Sequence, residues 1–108
     1  MKLYIGGAWQ GQEALARRDN PGAEVLCDLP RRMDEALARG ETPEGFARAL
    51  LRDHPSAVVV ADEVGCGLVP VDPDARRWRE AMGRACCVLA EGSEAVIRVV
   101  CGLGVRIK

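Results

Sequence analysis

The stretch A-V-V-V-A at residues 57–61 decides the fold. A continuous run of apolar, mostly β-branched residues is typical of a strand that is buried on both faces, as in a parallel sheet covered by helices. Working outward from it, apolar runs predict further strands over residues 2–6, 23–28 and 95–101, with a last short strand over 105–107.

Helices are predicted in the intervals between these strands. They cover residues 11–18, residues 31–39, a segment that opens at Thr42-Pro43 and ends before Pro55, and the longest helix from Pro73 to about Ala90. Strands that alternate with helices at this spacing indicate βαβ units with right-handed crossovers. The sequence therefore predicts one α/β domain over residues 1–108, with three layers and a small, mainly parallel sheet.

The composition excludes several classes of protein. The chain has 108 residues, 48% of them hydrophobic, with 15 basic and 16 acidic residues and a net charge of −1. Such a chain is neither disordered nor a nucleic-acid binder driven by bulk positive charge. Its longest apolar runs fall far short of the ~20 residues of a membrane span, and the first apolar run is too short for a signal peptide. We expect a cytoplasmic domain with no nucleic-acid partner and no membrane span.

The five cysteines do not form a metal motif. They lie at positions 27, 66, 86, 87 and 101, without a C-x-x-C pair, and His54 is the one histidine. Cys27 and Cys101 lie in apolar runs, so we expect buried, reduced thiols at both. Cys66, between two glycines in a loop, is the cysteine that could meet a ligand, although no base adjoins it in the sequence.

A glycine-rich turn follows the first predicted strand, where ligands bind in open α/β sheets. Its two outer glycines have the spacing of a P-loop, G-x-x-x-x-G-K-[ST], but Gln12 replaces the lysine and Glu13 the hydroxyl residue. We interpret it as a P-loop that keeps its backbone turn and has lost its nucleotide chemistry; a plain βα turn, or a P-loop with a lysine supplied from elsewhere, are the alternatives. The candidate nucleotide-binding residues are Gly6, Gly7, Ala8, Trp9, Gln10, Gly11, Gln12 and Glu13.

Acidic residues end two other predicted strands. Asp28 follows the second strand, where P-loop proteins place an acid that holds Mg²⁺; the alternative is an acid at a helix N-terminus. The pair Asp62-Glu63 follows the third strand and is either a site or a loop cap. Asp28 and Glu63 are thus the candidate catalytic acids, and Asp28 the candidate metal ligand. The longest helix carries a basic face that is either solvated or a contact for an anion or a subunit, formed by Arg76, Arg77, Arg79 and Arg84.

Four segments together carry a family resemblance. They read G-G-A-x-x-G at 6–11, D-E-V-G-C-G-L-V-P at 62–70, A-R-R-W-R-E-A-M-G-R at 75–84 and V-V-C-G-L-G-V-R-I-K at 99–108. In order and spacing they resemble the adenosylcobinamide kinase / adenosylcobinamide-phosphate guanylyltransferase family of cobalamin biosynthesis. The resemblance implies a P-loop NTPase-like fold, phosphoryl and guanylyl transfer with ATP or GTP and Mg²⁺, and assembly into oligomers, trimers in particular.

The chain also departs from the family pattern. The family has a lysine and a serine where this chain has Gln12 and Glu13. In the family, a long segment carrying the histidine that accepts the guanylyl group precedes the second strand; here Arg18 leads almost directly to Ala23, and His54 does not correspond to that histidine. Both half-reactions have thus lost groups on which they depend.

Three hypotheses follow from this pattern. The first is a non-catalytic relative that acts as a binding or assembly module, with a corrinoid or nucleotide ligand, a cobalamin-pathway protein, or further copies of itself as partner. The second is a residual cobinamide kinase in which Asp28 and Glu63 hold the metal and Arg76 or Arg77 supplies the missing charge; GTP or ATP and Mg²⁺ are cofactors only in this case. The third is an ordinary α/β domain whose glycine loop is only a turn.

Overall fold

The computed structural model describes residues 1–63 and 71–108. No helix in these two ranges is both long and apolar enough to span a lipid bilayer. In chain order the elements are β1 Lys2–Gly6, α1 Gln12–Asp19, β2 Val25–Leu26, α2 Leu29–Ala38, α3 Pro43–Asp53, β3 Val58–Asp62, α4 Pro73–Gly92, β4 Ala95–Val100 and β5 Leu103–Arg106.

The five strands form one sheet in the order β2-β3-β1-β4-β5. The first four strands are parallel to one another, and β5 is antiparallel to β4. The predicted α/β fold with a mainly parallel sheet is therefore confirmed. In the register of β1 against β3, Gly6 lies opposite Asp62, so the loop after β1 and the acids after β3 meet at one edge of the sheet.

Helices cover both faces of this sheet. Successive residues of β3 point to opposite sides: Val58 and Val60 pack with Leu15 of α1, whereas Val59 and Ala61 join the cluster built by α2, α3 and α4. This arrangement gives the three predicted layers. It also explains why residues 57–61 are apolar without alternation, since neither face of the central strands meets water.

β2 and β5 differ most from their predicted limits. β2 has two residues instead of six, because as the edge strand it pairs with β3 only at Val25 and Leu26. The chain then turns into α2, which begins at Leu29 and accommodates Pro30 in its first turn, where no backbone N–H is needed. β5 begins at Leu103 rather than after Gly104, because Cys101 and Gly102 form the turn.

The expectation that Cys27 and Cys101 are buried is wrong. Both thiols are exposed, because Cys27 lies beyond the short β2 and Cys101 occupies the β4–β5 turn with a φ of 51°. The half-buried Cys86 on α4 behaves instead as an apolar residue, since desolvation raises the pKa of its thiol to about 11. Cys66 lies outside the described residues.

A tight connection links α1 to β2 through residues 20–24. Asn20 ends α1 and donates from Nδ2 to the Ala16 carbonyl at 2.9 Å and to the Tyr4 hydroxyl at 3.1 Å. Its Oδ1 accepts from Lys2 Nζ at 2.9 Å. One asparagine therefore closes the helix and attaches the start of the connection to β1.

Candidate functional site

A cleft of about 560 Å³ opens beyond the carboxyl ends of β1 and β3. Small molecules commonly bind at this edge of an α/β sheet, in cavities of roughly 300–1,000 Å³. The walls come from the loop after β1, the starts of α1 and α2, the end of β3 and one side of α4. The lining residues are Ala8, Trp9, Gly11, Gln12, Glu13, Ala14, Cys27, Leu29, Pro30, Val60, Ala61, Asp62, Trp78 and Met82.

The two outer glycines of the loop, Gly6 and Gly11, are each required for a different structural reason. A Cβ on Gly6 would lie 2.4 Å from the Val99 carbonyl oxygen, so β1 and β4 can approach one another only around a glycine. Gly11 has a φ of 86°, in the left-handed region, and enters α1 from there. The predicted turn between strand and helix is thus required by the backbone geometry at both glycines.

Gln12 occupies the interior of the loop, at the position of the P-loop lysine. Its side chain is only 4% exposed, and its Nε2 lies 3.0 Å from the Gly6 carbonyl, 2.9 Å from the Gly7 carbonyl and 3.0 Å from Asp62 Oδ1. All three partners are oxygens, so the amide nitrogen must face them. A neutral amide therefore joins the loop to β3 where a P-loop carries a positive charge.

Glu13, at the position of the magnesium-binding hydroxyl, faces away from the loop interior. Its carboxylate is about half exposed and pairs with Arg17 one helical turn later, at 3.1 Å. Such exposed pairs contribute a few tenths of a kcal/mol to helix stability. The residue lines the rim of the cleft and contributes a carboxylate, where a P-loop would offer a hydroxyl.

The two candidate catalytic acids do not meet in the cleft, since neither is among its lining residues. Asp28 is the N-cap residue of α2 and receives hydrogen bonds from Arg32, at 2.7 Å, and from Arg31. Glu63 pairs with Arg98 of β4 at 3.5 Å. Across residues 1–63 and 71–108, no group of three or more metal-ligating side chains comes together. The geometry favours the structural interpretation of Asp28, an acid at a helix N-terminus.

We expect Asp28→Asn to lower the melting temperature slightly at pH 7 and not at all at pH 2. The hydrogen bond from Arg32, with a second from Arg31, holds the pKa of the Asp28 carboxyl below its usual range despite partial burial. A depressed pKa stabilises the fold above the unfolded value of about 3.9, and this contribution is lost as pH falls through the folded value. Thermal melts of both proteins from pH 2 to 7 would measure it; a constant difference would contradict it.

Two arginines of the basic face of α4 form ion pairs within the protein. Arg77 pairs with Asp74, and Arg84 contacts Glu44 of α3 at 2.5 Å. Among the described residues that line the cleft, there are two carboxylates and no basic side chain. A magnesium nucleotide triphosphate does not fit these surroundings, since a cation for the phosphates and a hydroxyl for the metal are both replaced.

Two tryptophans line the cleft, and the sequence motifs did not indicate that they lie close together. Trp9, at the tip of the loop, is 99% exposed and adopts a φ of 65°. Trp78 of α4 lines the same cleft and donates from Nε1 to Asp34 Oδ1 at 2.8 Å. The sequence contains only four aromatic residues, and two of them line this one cleft. Their proximity could not be predicted from the sequence, because it depends on the packing of α4 beside the loop.

The sheet, its helices and the loop after β1 define a P-loop-like α/β domain. Residues 24–107 match the model of the cobinamide kinase / cobinamide phosphate guanyltransferase family, and the chain belongs to this family. The matched range begins just before β2, so β1, the glycine loop and α1 precede it. The resemblance seen in the motifs of α4 and of residues 99–108 is therefore confirmed.

Two curated relatives are similar to the chain over part of their length. Both are bifunctional adenosylcobalamin biosynthesis proteins CobU. The protein of Salmonella typhimurium strain LT2 is 45% identical over 95 residues, which cover 88% of this chain and 49% of that protein. The protein of Escherichia coli strain K12 is 45% identical over 65 residues, or 60% of this chain and 36% of that protein. The chain thus spans about half and about a third of these relatives.

Proposed function

We propose that residues 1–108 form a binding module of cobalamin biosynthesis that has lost phosphoryl and guanylyl transfer and takes a corrinoid in the cleft. The observation that carries the proposal is the Gln12 amide, buried in the loop with three oxygen partners. A corrinoid is the proposed ligand because the family acts on cobinamide and the cleft has the volume of a small-molecule site.

The loss of phosphoryl transfer rests on charge. Phosphoryl transfer is catalysed mainly by positioning and by cations placed against the developing negative charge. Here Gln12 is neutral, Glu13 adds a carboxylate at the rim, and Asp28 is engaged by two arginines. Removing a single preorganised donor from an active site commonly lowers kcat by about 10²–10³. Together, these replacements support a rate too low to serve a pathway.

The loss of guanylyl transfer rests on the nucleophile. The chain contains one histidine, His54, which ends α3 and contacts Glu24 through Nδ1 at 2.9 Å. It does not line the cleft. The α1–β2 connection, where the family resemblance places the guanylylated histidine, consists of residues 20–24 and contains none. No imidazole is therefore available to accept a guanylyl group at the cleft.

Self-association is the proposed mode of assembly. Four apolar side chains at the β4–β5 edge are exposed, and Leu103 on the edge strand is 72% accessible; the others are Val100, Val105 and Ile107. A contiguous exposed apolar row on an edge strand favours pairing with another chain. Sedimentation velocity of the wild type and of Leu103→Glu would test it, with a monomeric wild type as the contradicting result.

Calorimetry and a transfer assay would test the proposed function. We expect dicyanocobinamide to bind, with no binding of ATP or GTP with Mg²⁺ and no transfer from γ-labelled nucleotide to cobinamide. The matched gain-of-function variant is Gln12→Lys with Glu13→Ser, which restores the cation and the hydroxyl and is expected to acquire nucleotide binding. Micromolar binding of GTP and Mg²⁺ by the wild type would overturn the proposal.

A residual kinase with a rearranged site is the alternative function. It requires Asp28 and Glu63 to hold the metal, with Arg76 or Arg77 supplying charge. If transfer is detected in the wild type, it should disappear in the double variant Asp28→Asn, Glu63→Gln. Activity that survives both substitutions would contradict the alternative as well.

A further inference from the structure

We infer that the cleft takes a planar conjugated ring system without phosphate charge, stacked on the indole of Trp9. The inference rests on the proposed function, because it names the chemistry of the ligand that the binding module would hold. It is carried by three observations: the presentation of Trp9, the clamping of its loop, and the charge of the cleft lining.

Trp9 presents almost its whole side chain at the cleft. It is 99% exposed, although large aromatic residues normally bury most of their surface. Its φ of 65° lies in the left-handed region, which is unfavourable for a bulky residue and for which glycine is the ordinary choice. A sequence rich in glycine has thus placed a tryptophan where glycine would fold more easily, and such an outlier points to a function of the side chain.

The loop around Trp9 is held in place on both sides. On the C-terminal side, the Gln10 side-chain Oε1 accepts from Cys101 N and its backbone oxygen accepts from Gly102 N, both at 2.7 Å. On the N-terminal side, the Gly7 carbonyl accepts from Gln12 Nε2. The left-handed backbone of Trp9 is therefore held by its neighbours, which fixes the point at which the indole leaves the loop.

The charge of the lining selects against phosphate. Within residues 1–63 and 71–108, the charged residues that line the cleft are Glu13 and Asp62, and both are acidic. A phosphate placed beside Asp62 would lose water without gaining an opposite charge. A ligand that is neutral or cationic around its ring system avoids this cost.

The rest of the cleft wall suits the remainder of a flat ligand. Leu29 and Pro30 at the start of α2, and Trp78 and Met82 on α4, supply apolar surface. The hydrogen bond of Trp78 Nε1 to Asp34 fixes the orientation of its indole. Thioether and aromatic groups pack well against conjugated rings.

Equilibrium dialysis with three probes would test the inference on the full chain: adenosine, AMP without metal, and dicyanocobinamide, which carries a conjugated ring and no phosphate. We expect adenosine to bind at least tenfold more tightly than AMP. Stacking on an aromatic side chain is lost in Trp9→Ala, which should weaken binding of adenosine about tenfold or more. The two axial cyanides of dicyanocobinamide cover both faces of its ring, so its binding should change little. Trp9→Phe should retain part of the affinity.

Two further variants separate stacking from charge. Val71→Ala, at an apolar residue that is 91% exposed and is not among the residues that line the cleft, should leave binding unchanged. Asp62→Asn keeps an acceptor for Gln12 and removes the charge, so the preference for adenosine over AMP should narrow. Circular dichroism and thermal melts would establish that each variant is folded.

The outcomes distinguish this inference from the proposed function. Adenosine binding that is absent, or that is unaffected by Trp9→Ala, would overturn the stacking site, and binding of dicyanocobinamide would then leave the binding module intact. AMP binding as tight as adenosine would overturn the charge selection. If none of the three probes binds the folded wild type, both proposals fail.

Discussion

Replacement of Gln12 by methionine is expected to lower the melting temperature by about 10 °C. Methionine matches glutamine in length but donates no hydrogen bond, so the carbonyls of Gly6 and Gly7 and the Asp62 carboxylate would lose their shared partner. Leaving buried acceptors unsatisfied costs about 1–3 kcal/mol each, part of which water can recover. For a domain of this size each kcal/mol changes the melting temperature by about 4 °C or more.

The neighbouring substitution Glu13→Gln provides the control. Glu13 is about half exposed and its pair with Arg17 is a surface pair, so the expected change lies within about 0.5 kcal/mol. Calorimetric melts of the three proteins at pH 7 would compare them. A Gln12→Met protein as stable as the wild type would mean that the amide does not fasten the loop to β3. The main observation behind the proposed function would then be contradicted.

Gly6→Ala is the second substitution with a large expected effect, a loss of about 3 kcal/mol. Its Cβ would lie 2.4 Å from the Val99 carbonyl oxygen and 3.4 Å from Gln12 Cδ. The first neighbour is backbone of β4 and cannot rotate away, so the two central strands must separate. Denaturant unfolding would measure the difference in free energy.

Gly83 offers a matched glycine for comparison. It lies within α4, and a Cβ there would meet no atom within 4 Å. Since alanine is favoured over glycine in a helix, Gly83→Ala is expected to stabilise the protein by about 0.5–1 kcal/mol. Equal effects at the two glycines would show that the contact of β1 with β4 is not what requires Gly6.

The two substitutions probe the same part of the molecule from opposite sides. Gly6 lets β1 lie against β4, and its carbonyl accepts from Gln12, which in turn holds Asp62. A P-loop uses the same strand end and the same backbone turn to cradle phosphate. Here these elements form hydrogen bonds with one another inside the protein. We propose that Trp9 instead makes the contact with a ligand in the cleft.

Local pattern carried most of the fold. The apolar run at 57–61, the proline at the start of α3 and the spacing along α4 reflect interactions between near neighbours, and such interactions are visible in a sequence. The limits of β2 and β5 were not visible in the sequence, because an edge strand extends only as far as its partner strand offers backbone groups for hydrogen bonding. The prediction that Cys27 and Cys101 are buried was wrong for the same reason, because apolar neighbours in the sequence do not reveal where a strand ends.

The sequence by itself determined the α/β class and the P-loop spacing. It also determined that the lysine, the hydroxyl residue and the guanylyl-accepting histidine implied by the family resemblance are missing from their positions. These features depend only on which residues are present and in what order. Only the tertiary structure decided what replaces them. The register of β1 against β3 places Asp62 opposite Gly6, which gives the buried Gln12 amide its partners. Ion pairs engage Asp28 at the start of α2, and the β4–β5 turn holds the loop that presents Trp9. These contacts join residues up to 91 positions apart, and their geometry is fixed by packing rather than by local propensity.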